Sequence, residues 1–143
     1  MNRQYSWGLW ALLLSGFLLA CQSDDEPSID LISGDWFWVK TDGVGVAGAY
    51  TNTPEQAGYT QSISFMGSTV KRFTNGQLVD EFSYAVSTKD QSKLLEFYNQ
   101  DGSLAEHFLV EIKADALILS NVETCCDNTF ASLFQRKLDP SGN

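Results

Sequence analysis

His107 is the only histidine in the 143 residues and the side chain best suited to exchange a proton near neutral pH. It follows Glu106 on the polar-leaning side of a short apolar run, and no Ser or Cys nucleophile motif surrounds it. A general base needs an orienting partner and a place for substrate, so His107 reads as a solvated or rim histidine and the chain as a non-enzyme. Glu123, Cys125, Cys126 and Asp127 bring thiols and carboxylates together. Zinc sites ordinarily space their Cys pairs by about two to four residues and need four ligands, and here the two Cys are adjacent with no second pair. That excludes the usual metal pattern and leaves a structural loop. Cys125 and Cys126 could form a vicinal disulfide, remain thiols or pair between chains. Their Cα atoms, ~3.8 Å apart across a trans peptide, are closer than the usual disulfide span of about 4.4–6.8 Å; a vicinal disulfide in a loop is slightly favoured. Asn99-Gln100-Asp101-Gly102 lacks the length and closing Glu of a calcium loop. Gly43, Gly45 and Gly48 lack the spacing of a dinucleotide fingerprint. No cofactor is implied.

The remaining chemistry is aromatic. Trp36, Phe37 and Trp38 are consecutive, so in a strand Trp36 and Trp38 share one face and Phe37 takes the other. Large aromatics most often fill cores; the sharper reading is that some of them line an apolar pocket. The residues that would do so are Trp38, Phe65, Phe82 and Phe108 on strands, with Tyr50 and Tyr59 at the mouth.

The elements that must hold these rings are strands. Gly34 to Lys40 is rich in Trp, Phe and Val, and residues 41–60 read as a long Gly-rich loop. Inside that loop Thr53-Pro54-Glu55-Gln56 predicts one helical turn with Thr as N-cap. Further strands follow over 60–66, 68–74, 78–87, 93–98, 104–112, 116–120 and 129–137. Asn75-Gly76 marks a tight hairpin. Alternation places Leu78, Phe82, Tyr84 and Val86 on one face, with Asp80 its odd member, and turns Leu104, Phe108, Val110 and Ile112 inward. Eight strands at such spacing predict an all-β, up-and-down antiparallel sheet, closed into a barrel to remove its edges.

The first residues carry an address. Arg3, an apolar run from Trp7 to Leu19, and a small residue before Cys21 have the form of a secretory signal peptide over 1–20, too short for a membrane span. Leu18-Leu19-Ala20-Cys21 resembles the lipobox of bacterial lipoproteins, which implies acylation of Cys21 and a membrane anchor. Cys21-Gln22 followed by Asp24-Asp25-Glu26 is similar to the export signal of Bacteroidetes surface lipoproteins, implying the outer face of the outer membrane. Residues 21–31 read as an acidic tether, 32–138 as the barrel and 139–143 as a tail. Without residues 1–20 the chain has eight Lys plus Arg against eighteen Asp plus Glu, a net charge of −10. Nucleic acid is thereby excluded as a natural partner, and membrane contact falls to the lipid.

Gly34-Asp35-Trp36 at the first strand and Arg136 in the last resemble the Gly-x-Trp and late Arg of lipocalins. The ordered run of Gly34 to Val39, the Gly-rich Gly43 to Gly48 stretch, Thr53-Pro54-Glu55, Gly58-Tyr59-Thr60, Ile63-Ser64-Phe65, Asn75 to Val79, Asp115 to Leu119 and the Cys126-Asp127 loop is similar to the lipocalin-like lipoproteins of Bacteroidetes. The resemblance implies that Trp36 plugs one end of the barrel with Arg136 across it. Only seven residues come after Arg136, too few for the helix that lipocalins pack on the barrel. Two functions fit: a module that binds a small hydrophobic ligand, or a filled barrel serving as an envelope structural, protein-interaction or glycan-interaction domain.

Overall fold

The computed structural model describes residues 29–122 and 129–136. The expectations for residues 1–28, including Cys21, for Cys125 and Cys126, and for residues 137–143 lie outside them. A single turn, α1 (Ile29–Ile32), leads into β1 (Gly34–Gly45). Then come β2 (Gly48–Asn52), the short helix α2 (Pro54–Ala57), β3 (Gln61–Met66), β4 (Thr69–Thr74) and β5 (Gln77–Lys89). The chain continues through β6 (Ser92–Tyr98), β7 (Leu104–Lys113), β8 (Ala116–Asn121) and β9 (Thr129–Arg136). Each strand from β3 to β8 pairs antiparallel with the next, and β1 pairs with both β3 and β9. Eight strands therefore close into an up-and-down barrel, the architecture that strand spacing predicts.

One segment departs from the expectation. Residues 41–60 are not a long loop. β1 continues to Gly45, and β2 folds back on it from Thr41↔Asn52 to Gly45↔Gly48. β2 is a ninth strand outside the closed ring, forming a flap with the end of β1. Glycine weakens strand propensity, which hides this hairpin in the sequence; it forms because β9 pairs with the other edge of the same residues, up to Val44↔Thr129. The helical turn inside the segment is as anticipated. Thr53 caps α2, its side chain accepting from the Gln56 N–H while the Gln56 side chain accepts from the Thr53 N–H.

Bulges shape the wall. In β5 the register steps from Arg72↔Asp80 to Phe73↔Leu78, making Val79 an extra residue. In β7 it steps from Phe97↔Glu106 to Tyr98↔Leu104, with Ala105 extra. A third lies at Val39, between Trp38↔Phe134 and Lys40↔Leu133. A bulge shifts the in-out alternation by one residue. This corrects the placement of Leu78 and Leu104: both leave the inner face and are about half exposed, at 51% and 48%.

The core is built from inward positions on nearly every strand. It comprises Trp36, Trp38, Ile63, Phe65, Val70, Tyr84, Leu95, Phe97, Leu117, Leu119 and Phe134, with Ile32 beneath. Phe37 projects outward and is exposed.

Candidate functional site

One end of the barrel is capped. Trp36 is fully buried, and its indole N–H donates to the Ile32 carbonyl at 2.7 Å. The Arg136 guanidinium lies over the Trp36 ring, 4.4 Å from its centroid. It also donates to the carbonyls of Ser33, at 2.9 Å, and Leu31. The cation–π contact contributes ~0.5–2 kcal/mol, and the two side chains together satisfy three carbonyls at the end of α1 that the helical turn leaves open. This junction ties the first strand to the last and seals the floor.

The middle of the barrel is filled by rings in mutual contact. Phe65 meets Tyr84 edge-on at 5.0 Å, and Phe97 contacts Phe65, Phe82 and Phe108 at 5.6–6.3 Å between centroids. Near the flap Tyr59 stacks on Trp38 at 5.7 Å. The Trp38 N–H donates to Thr41 Oγ1, which in turn bonds Ser132 Oγ.

Above this plug, toward the end that carries α2 and the β4–β5 turn, lies a cavity of about 420 Å³. Its apolar wall includes Ile63, Phe97, Phe108, Leu119, Phe130 and Phe134; Ser132 and Gln61 add polar atoms, and Arg72 and Asp80 add charge. Arg72 is held on three sides. Its Nη1 and Nη2 donate to the two carboxylate oxygens of Glu106, both at 2.9 Å, and Nη2 donates to Asp80 at 2.8 Å. Its guanidinium also sits 5.1 Å from the centroid of the Phe82 ring. A bidentate carboxylate fixes a guanidinium in direction as well as position. The charges are half-buried, so the arrangement matters more for orientation than for stability. The bulges at Val79 and Ala105 each stand immediately before one of the two inward carboxylates.

A second recess, about 440 Å³, lies low on the wall between the β5–β6 and β7–β8 hairpins. The β6–β7 ladder begins only at Leu94↔Leu109, so the two hairpins part below it. Its lining mixes inward residues (Val86, Val110 and Ile112) with outward ones such as Glu111 and Ile118, which makes it a notch through the wall.

Of the six aromatics singled out in the sequence, Phe108 lines the mouth cavity. Phe65 is deep in the plug, Phe82 is covered by Arg72 and stacked on Phe97, and Trp38 and Tyr59 engage each other. Tyr50 lies across Gly43 on the flap, where a Cβ on residue 43 would come within 2.5 Å of its ring. The Arg72–Asp80–Glu106 set escapes sequence reasoning because its members are far apart in the chain; Asp80 on an apolar face is the one signal that pointed to it. His107 stands opposite Glu96 across the β6–β7 ladder, outside the cavity. Among the described residues no three His, Cys, Asp or Glu side chains gather as a metal site. No family model, curated protein or solved structure matches the chain.

Proposed function

We propose that this protein is a lipid-anchored binding module of the outer membrane, a lipocalin-like lipoprotein that takes a small, largely hydrophobic molecule into the mouth of its barrel. The observation that carries the reading is the 420 Å³ cavity, aromatic on its walls with a few convergent polar groups. Small-molecule sites have this composition and typically measure about 300–1,000 Å³. Anchoring through Cys21 rests on the Leu18-Leu19-Ala20-Cys21 sequence. It suits the fold's polarity, since the chain enters the barrel at the capped end and the cavity lies at the other.

A second reading, a domain that docks a protein or glycan, draws on the apolar residues exposed around the mouth: Val44, Val46, Tyr50, Leu78, Val79 and Leu104. The two are separated by native mass spectrometry of the full chain released from envelope membranes, with solvent extraction of the released material. Ligand binding predicts an apolar molecule at about one per chain, lost in Ser132→Phe, which fills the cavity, while circular dichroism stays unchanged. A bare mass that persists after incubation with envelope lipid extract would remove the ligand reading and favour docking.

A further inference from the structure

We infer that the mouth cavity selects ligands bearing a protonated amine or comparable cationic nitrogen on an apolar, ring-sized body. This rests on the cavity being a ligand site and names the class of its occupant. Two features of the wall and the charge of the chain share one electrostatic sign. First, the charged set of Arg72, Asp80 and Glu106 carries one positive against two negative charges. Glu106 spends both oxygens on Arg72 and does not line the cavity, so it neutralises the guanidinium from behind. Asp80 lines the cavity, and among the described residues only its Oδ2 takes a bond, leaving Oδ1 to accept from a ligand. Second, five phenylalanines, Phe73, Phe97, Phe108, Phe130 and Phe134, line the same space. Aromatic faces carry negative charge density and attract cations. Third, the chain as a whole is acidic, with a net charge of −10 without residues 1–20, a balance that favours the approach of cations over that of carboxylates.

The geometry also says why the surplus carboxylate is presented. The extra residue Val79 keeps Asp80 on the inner face while Leu78 turns out. Arg72, braced by Glu106 and Phe82, holds Asp80 by one oxygen and so directs the other. An ammonium group donating to Asp80 would gain a charge-assisted bond in a half-enclosed site, where such bonds exceed neutral ones. A ligand carboxylate would instead meet a guanidinium that spends three of its five N–H donors on Asp80 and Glu106 and whose charge those two carboxylates already offset.

The test uses three probes of one shape: 1-naphthylmethylamine, 1-naphthylmethanol and 1-naphthylacetate. Each is titrated calorimetrically into the full chain in lipid nanodiscs, with empty nanodiscs subtracted. The expected order is amine tightest, by about tenfold over the alcohol, with the carboxylate weakest. Added salt should erode the amine's advantage and leave the alcohol unchanged. Asp80→Asn should bring amine and alcohol to within about threefold of each other. If the alcohol binds and the amine binds no more tightly, the cavity remains a ligand site and the preference for cations is overturned. Tightest binding by the carboxylate would overturn it in favour of Arg72 as an anion receptor. Failure of all three probes would remove the binding function along with the preference. The wild-type order is read without any variant, so the inference does not depend on how Asp80→Asn folds.

Discussion

At the scale of the residue, two buried aromatics have opposite worth. Trp36 fills the floor, donates to Ile32 and supports Arg136, so its loss leaves a cavity, an open carbonyl and an unsupported guanidinium. Trp36→Ala should destabilise the fold by roughly 3–5 kcal/mol in chemical denaturation; a change below about 1 kcal/mol would remove Trp36 from the role of plug. Tyr84 is also buried, yet among the described residues its hydroxyl meets no hydrogen-bond partner, and burial raises its pKa. An unpaired buried hydroxyl costs stability, so Tyr84→Phe should leave the midpoint unchanged or raise stability by up to about 1 kcal/mol. A loss of that size would mean that the hydroxyl is paired in solution. The value of Trp36 was legible from Gly34-Asp35-Trp36 and Arg136 because a short motif names both ends of one contact. The position of Arg72 was not. Its partners are 8 and 34 residues away along the chain, and strand pairing and barrel curvature, rather than local pattern, bring them together.

At the scale of the element, bulges and glycines decide where period-two reading fails. Alternation identifies the inner faces of β3, β5 and β7 over their central residues, because there the inward side chains are at least half-buried and no extra residue interrupts the register. It fails at Leu78 and Leu104 because each lies beyond an extra residue. It also misses the flap, since Gly43, Gly45 and Gly48 look like loop when their two-sided pairing is unseen. Gly43 is required there by space. A Cβ would approach the Tyr50 ring at 2.5 Å and the Thr129 carbonyl oxygen at 2.7 Å. Gly43→Ala should therefore cost ~1–3 kcal/mol and accelerate amide exchange in β2. Adding Tyr50→Ala should recover only part of that, since the β9 backbone still blocks the methyl. The β6–β7 turn offers a pH test. The Ser103 hydroxyl and backbone N–H both donate to Asp101 and hold its carboxyl below the ordinary range. The stabilisation is full above the unfolded carboxylate pKa of about 3.9 and is lost as pH falls through the lower folded value. Protection of the Ser103 amide should accordingly survive to a pH beneath that of an ordinary Asp; loss near pH ~4 would show that the bonds are not maintained.

At the scale of the whole molecule, the barrel has a direction. The chain enters at α1, beside Trp36 and Arg136, and that end also carries the β3–β4, β5–β6 and β7–β8 turns. The flap, α2 and the cavity occupy the opposite end. The shorter barrel strands, six to eight residues in β3, β4, β6, β8 and β9, rising ~3.3 Å per residue and tilted by about 35–45°, separate the ends by roughly 15–20 Å. If Cys21 is the anchor, the capped floor, where the chain enters, would lie nearer the membrane than the mouth, and a ligand would arrive from outside rather than from the bilayer beneath. Two exposed side chains mark the ends: Met66 at the floor, 76% exposed, and Val46 at the tip of the flap, fully exposed. In a chain carrying Cys125→Ser and Cys126→Ser, a fluorophore attached through Met66→Cys should be quenched by spin-labelled lipid headgroups well above background. One attached through Val46→Cys should be quenched little, since the distance between the ends exceeds the reach of contact quenching. Reversed intensities would put the mouth against the bilayer. Its exposed Val44, Val46, Leu78, Val79 and Leu104 would then read as a membrane-facing collar through which an apolar ligand passes directly from lipid into the cavity.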